Sequence, residues 1–154
     1  MKRKMMALLL TMVMCLTTIF CMGYDVKAEG VGEDIEFSEL LTEEALIGYA
    51  QPTTRGVYLM EGNSIINKIS STKIGAGGTT TAAMKCKVSV CPIVERLVNG
   101  SWVHVTTWTV TNSYAYSAMA SKSITVSTGY YYRVRSLHSA ASDGSTSCTS
   151  ALRM

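Results

Sequence analysis

Residues able to do acid–base or nucleophilic chemistry are sparse in the second part of this chain. His104 and His138 are the only histidines of 154 residues, and Glu61, Glu95 and Asp143 are the only acids after Arg55. A serine triad needs a carboxylate that orients its histidine. Asn99-Gly100 supplies a two-residue hairpin turn, because both residues tolerate positive φ. The register it sets places Leu97 opposite Trp102, Glu95 opposite His104 and Val94 opposite Val105. Glu95 and His104 then read as a cross-strand polar pair on a surface, worth roughly 0.2–1 kcal/mol. Ser70-x-x-Lys73 has the spelling of an acyl-transfer motif, but that motif works at a helix start with partner motifs absent from this sequence. No two acids are placed together as glycosidic cleavage requires. The cysteines and histidines lack the Cys-x-x-Cys type of spacing that holds zinc. No catalytic residue, metal site or cofactor is expected, and the chain reads as a non-enzyme.

Binding chemistry is better supplied. Strict alternation puts Trp102, His104, Thr106, Trp108 and Val110 on one face of a strand, and Val103, Val105, Thr107 and Thr109 on the other. If the valines face the core, both tryptophans are displayed and can stack on sugar rings or anchor a protein. If the tryptophans face the core, that surface disappears. Arg133 and Arg135 alternate with Tyr132 and Val134 and are expected to point outward as a basic stripe. Trp102, Trp108, Arg133 and Arg135 are therefore the candidate partner-binding residues. The partner is left open as a glycan, a wall polymer or a protein. Nucleic acid is not expected, since no Arg/Lys cluster is denser than Lys85/Lys87 or Arg133/Arg135.

The compartment follows from the first residues. Lys2, Arg3 and Lys4 precede an apolar run from Met5 to Met22, and Val26 and Ala28 are small residues at the offsets of a cleavage site. This is the layout of a secretory signal peptide cut after Ala28, rather than of a membrane anchor, which a basic cluster would follow. Removal of residues 1–28 turns a formal charge of +3 into one of about zero, with 10 basic and 10 acidic residues left. The charges are unevenly placed. Seven of those acids precede residue 45, whereas all 10 bases lie from Arg55 onward. Such a leader can mask a basic face or serve solubility. Three cysteines remain, Cys86, Cys91 and Cys148, an odd number that allows at most one internal disulfide, Cys86–Cys148 or Cys91–Cys148, and the simpler expectation is small buried hydrophobes.

The elements that must position these residues are strands. Residues 29–54 read as an acidic lead-in and linker, with one short helical stretch from Ser38 to Ile47. Residues 55–154 read as one β-domain. They are rich in Thr, Val, Ile, Tyr and Trp, which suit a pleated, half-buried surface. Strand-like runs fall near 64–70, 79–86, 88–98, 101–111, 114–126, 130–138 and 146–151, and Gly75, Gly77 and Gly78 read as an early turn or bulge. About seven strands over some 100 residues predict an all-β, antiparallel immunoglobulin-like sandwich.

Val126, Gly129, Tyr132 and Val134 resemble the E–F corner and F strand of a fibronectin type III-like domain. The resemblance makes Tyr132 a corner tyrosine whose hydroxyl bonds back to the upstream backbone. Ser136 departs from that pattern, where a larger apolar residue is usual. More narrowly, Arg55-Gly56, the glycines at 75–78, Asn99-Gly100-Ser101-Trp102 and Gly129-Tyr130-Tyr131-Tyr132-Arg133-Val134 with His138 resemble small secreted proteins of Gram-positive bacteria, catalogued as domain of unknown function family 6147. That resemblance implies export and a β-domain, and brings no activity with it. The expected function is a secreted, non-catalytic binding module. A membrane-acting, bacteriocin-like effector is the alternative, weakened by the lack of an amphipathic cationic helix. A hydrolase is a further alternative without a site.

Overall fold

The computed structural model describes residues 29–50 and 56–154. The signal-peptide reading of residues 1–28 and most of the linker, residues 51–55, lie outside them. Among the described residues nine antiparallel strands form: β1 (Gly32–Asp34), β2 (Leu46–Tyr49), β3 (Leu59–Ser70), β4 (Lys73–Val98), β5 (Ser101–Thr107), β6 (Val110–Thr125), β7 (Tyr131–Ala140), β8 (Asp143–Cys148) and β9 (Leu152–Arg153). All join one continuous sheet. The expectation of about seven strands is thus exceeded, and no break divides the sheet in two.

The reason is β4. Its 26 residues absorb two of the expected strands. Its first part pairs with β3 and β6, and its second part with β5, β7 and the start of β6. Register shifts on either side of Cys86 mark the change of partners, as bulges commonly do where a strand bends. β3 then packs against β7 and β8, so the sheet folds over on itself. The expected glycine turn is not a turn. Gly75, Gly77 and Gly78 are buried in mid-strand. A Cβ on Gly77 would lie 2.3 Å from the Ala120 carbonyl oxygen and 2.6 Å from Leu40 Cδ1. Here glycine serves close approach rather than chain reversal.

Leu40 belongs to the supposed lead-in. Residues 37–40 form a single 3₁₀ turn in place of the expected helix, and Leu46–Tyr49 form a strand. β1 pairs with β6 and β2 with β3, so residues 32–49 extend the sheet at both edges. Leu40 is fully buried, and Asn67 Nδ2 donates to the Glu39 and Leu40 carbonyls at 3.0 and 3.3 Å. The acidic segment also meets the basic domain directly. Glu29 pairs with Arg96 at 2.5 Å, Glu33 with Lys73 at 3.4 Å and Asp34 with Lys122 at 3.2 Å.

Between the folded layers lie two apolar clusters with a polar band between them. One gathers Ile66, Ile74, Ala76, Val94, Ile124, Tyr132 and Val134, and the other Ala82, Val88, Val90, Ala118, Ala120 and Ala140. Along β7 the buried positions run Tyr132, Val134, Ser136, His138, Ala140, crossing from the first cluster through the band to the second. The departure at Ser136 is therefore part of a layer shared by several strands.

Candidate functional site

The candidate surface is the outer face of β5, β4 and β7. The hairpin at Asn99-Gly100 forms with φ of 49° and 79°. Leu97 pairs with Trp102 and Glu95 with His104, but Val94 pairs with Thr106, because the register shifts between Val94 and Glu95. That extra residue on β5 reverses the alternation. Trp102 and His104 stay on the outer side, while Trp108 turns inward and packs against both apolar clusters. Trp108 is thereby removed from the expected partner-binding surface. Strict period-two reasoning holds only up to a bulge.

The structure brings Trp102, Arg133 and Arg135 together, with Glu95 as the residue that joins them. Arg133 Nε donates to Glu95 Oε2 at 2.7 Å, and Arg135 donates to Oε1 through Nε at 3.3 Å and Nη2 at 3.2 Å. Glu95 is only 8 % exposed. The Arg133 guanidinium lies over the Trp102 ring at 4.2 Å, the stacking geometry that favours arginine over lysine. Tyr131, the next outward residue of β7, carries Arg153 of β9 over its ring at 5.9 Å. Sequence reasoning named Tyr131 among the possible contact aromatics but missed Glu95 as the hub and Arg153 beside Tyr131. The alternation of β7 held the signal for Tyr131, since it shares its parity with Arg133 and Arg135. Cys148 sits opposite Arg135. Burial raises its thiol pKa, outweighing the lowering by Arg133, so it is not an activated thiolate. Cys86, Cys91 and Cys148 are all free, and none is a buried core residue, since Cys86 and Cys91 are half-buried and Cys148 is exposed. β7 runs between the strand of Cys91 and that of Cys148, which separates them.

Tyr132 and Gly129 form a corner on the inner side. Gly129 has φ of +87°. The Tyr132 hydroxyl stands 2.9 Å from the Ser127 carbonyl and 2.7 Å from Glu29 Oε1, sharing one proton between two acceptors. Burial and the neighbouring Glu29 push its pKa up to about 12. Glu29 also meets Arg96, whose guanidinium covers Tyr130 at 4.6 Å.

The polar band is a second constellation that the sequence did not reveal. Thr80 Oγ1 donates to the Ser89 carbonyl at 2.9 Å and meets His138 Nδ1 at 2.8 Å. Nδ1 therefore carries the proton of the neutral ring. Ser147 Oγ lies 2.7 Å from Nε2 and 2.6 Å from Ser64 Oγ, and Ser64 donates to Ser136 Oγ at 2.7 Å. Ser147, His138 and Thr80 stand in the hydrogen-bond order of a nucleophile, a base and its orienting group. Ser147 and His138 are 3 % and 2 % exposed, so the relay faces the interior rather than a substrate. Gly62 fits it: a Cβ there would fall 2.5 Å from the imidazole. Of the two pairings weighed from sequence, His104 is exposed while Glu95 turns to the arginines. Ser70 and Lys73 face each other across the β3–β4 turn, with Lys73 paired to Glu33. Among the described residues no group of His, Cys, Asp and Glu could hold a metal ion.

No curated protein and no solved structure matches the chain. Residues 36–153 match the model of a family of unknown function. That span includes β2 and the Leu40 turn together with β3 to β9, and the chain belongs to this family, DUF6147.

Proposed function

We propose that the chain is exported, loses residues 1–28 and acts outside the cell as a non-catalytic β-domain that binds a partner through the outer face of β5, β4 and β7. One observation carries this reading: two arginines share the buried Glu95 carboxylate beside Trp102. The buried carboxylate offsets one of the two charges, so an uncompensated positive charge remains on a face held rigid by stacking. A rigid cationic surface loses little entropy on binding an anionic partner. The reading extends to the fold. The corner of Val126, Gly129 and Tyr132 is what the domain has in common with fibronectin type III-like and immunoglobulin-like sandwiches.

The test is capture of partners from culture medium by chain expressed from its full sequence and collected after export. The expected result is an N-terminus at Glu29 and a captured partner that an R133Q/R135Q variant no longer retains. Retention of the same partners by a folded R133Q/R135Q variant would overturn the binding surface. Recovery of the chain only with its leader attached would overturn export.

A further inference from the structure

The outward row of β7 presents Tyr131, Arg133 and Arg135 in succession, and Arg153 of β9 stands opposite Tyr131. Outward positions on one strand recur about every 6.6–6.8 Å. Arg153, Arg133 and Arg135 are therefore rooted in a stepped row on one face, with the Arg133 and Arg135 guanidiniums meeting at the Glu95 carboxylate. Both rings of this face already carry a guanidinium, Trp102 that of Arg133 and the partly exposed Tyr131 that of Arg153. Sugar stacking on an open aromatic face is thus not what the surface offers. It offers guanidinium N–H edges. Arg133 binds Glu95 through Nε, leaving both Nη groups to solvent, and Arg153 is exposed. Such edges take oxyanions with paired, charge-assisted hydrogen bonds.

We propose that this row binds a linear phosphodiester polymer, with successive phosphates on Arg153, Arg133 and Arg135. The inference rests on the reading of this face as the binding surface and names its ligand. A flexible polyol chain with one phosphate per three-carbon unit can turn all its anions to one side at the step of alternate strand residues. A uronate polymer carries its carboxylates on rigid rings that alternate from side to side, and meets the row only at every second anion. Three charges in a row also convert weak single contacts into avidity.

The experiment is calorimetric titration of the exported chain with poly(glycerol phosphate), with polygalacturonate as a second polyanion and dextran as a neutral polymer. Hydrogen bonds to charged groups are worth enough that R133Q/R135Q is expected to bind at least about tenfold more weakly. R153Q weakens binding by a smaller factor, and K85Q/K87Q, on a different part of the domain, leaves it unchanged. Polygalacturonate binds more weakly and dextran not at all. Equal affinity of wild type and a folded R133Q/R135Q variant overturns the proposal, as does equal affinity for the two polyanions. If the double variant does not fold, R153Q decides, since Arg153 is exposed and its loss leaves the core intact; unchanged affinity there overturns the row. Failure to bind poly(glycerol phosphate), with Arg133-dependent capture of another partner retained, overturns the ligand and spares the surface.

Discussion

Arg133 is gripped from two sides: its guanidinium carbon stands 4.2 Å from the centroid of the Trp102 ring while its Nε donates to Glu95 at 2.7 Å. The ring is shielded by the side chain that the carboxylate fixes. Replacement of Arg133 by Ala is expected to uncover Trp102 without moving Trp108, which packs in the core. Iodide quenching of tryptophan fluorescence checks this. The fraction accessible to iodide should rise in R133A, and R133K should fall between, since lysine keeps charge but lacks the planar fork. Equal quenching in wild type and R133A would show that Arg133 does not cover the ring.

Glu95 makes a sharper demand on stability. Its two oxygens serve two arginines from a nearly buried position. E95Q keeps the shape and removes the charge, leaving Arg133 and Arg135 close together with no carboxylate between them. The arginine side chains are 27 % and 38 % exposed and can turn toward water, which limits the loss. A loss of about 1–3 kcal/mol in urea unfolding is expected. A double-mutant cycle with R133Q should return a coupling energy clearly above zero. A coupling of zero would reduce the cluster to surface charges of no energetic consequence.

How much of this was legible in the sequence depends on how local each signal is. The Asn99-Gly100 turn fixes its own register, so the pairs Leu97–Trp102 and Glu95–His104 could be read directly. The corner at Gly129 and Tyr132 is local too. The bulge that turns Trp108 inward leaves no mark in the alternation, because the inserted residue, Val105, continues the valine–polar pattern of Val103, His104, Val105 and Thr106. The glycines at 75–78 read as a turn because glycine is common in turns. Their purpose is set by Leu40 and Ala120, far away in the chain. The polar band is invisible for the same reason, since its members come from β3, β4, β7 and β8.

Leu40 gives a direct test of whether the acidic segment belongs to the domain. It is fully buried over Gly75 and Gly77. Truncation of a buried leucine typically costs about 2–5 kcal/mol. L40A should lower the thermal midpoint of the whole domain in one cooperative transition. G77V should do at least as much, because its side chain would strike both Leu40 and the Ala120 carbonyl. An unchanged midpoint for L40A would return residues 29–50 to the role of a dispensable leader.

His138 sets the pH range over which the fold is stable. Burial alone lowers its pKa to about 4. The folded domain thus holds the ring neutral where an unfolded chain, near 6.5, begins to take up a proton. Its contribution is fully present above about pH 6.5 and is lost as pH falls toward 4, amounting to about 2–3 kcal/mol. A second proton on Nε2 would let Ser147 donate to Ser64, and so complete the run of hydroxyl contacts from Thr80 to Ser136. That gain is about one hydrogen bond, roughly 1 kcal/mol. The opposing cost is a buried cation for which no carboxylate contributes to the shift, and burying an unpaired charge is the larger effect. Below this window a second loss begins, because the raising effect of burial on Glu29 is outweighed by the Tyr132 hydroxyl, the Ser127 amide and Arg96, which hold its carboxyl below the usual range. Urea unfolding at stepped pH values should therefore show stability falling between pH 6.5 and 4.5 in wild type. In H138Q, less stable overall but free of the titrating ring, the curve should be flat over that interval. An equal slope in both chains would place the titrating group elsewhere.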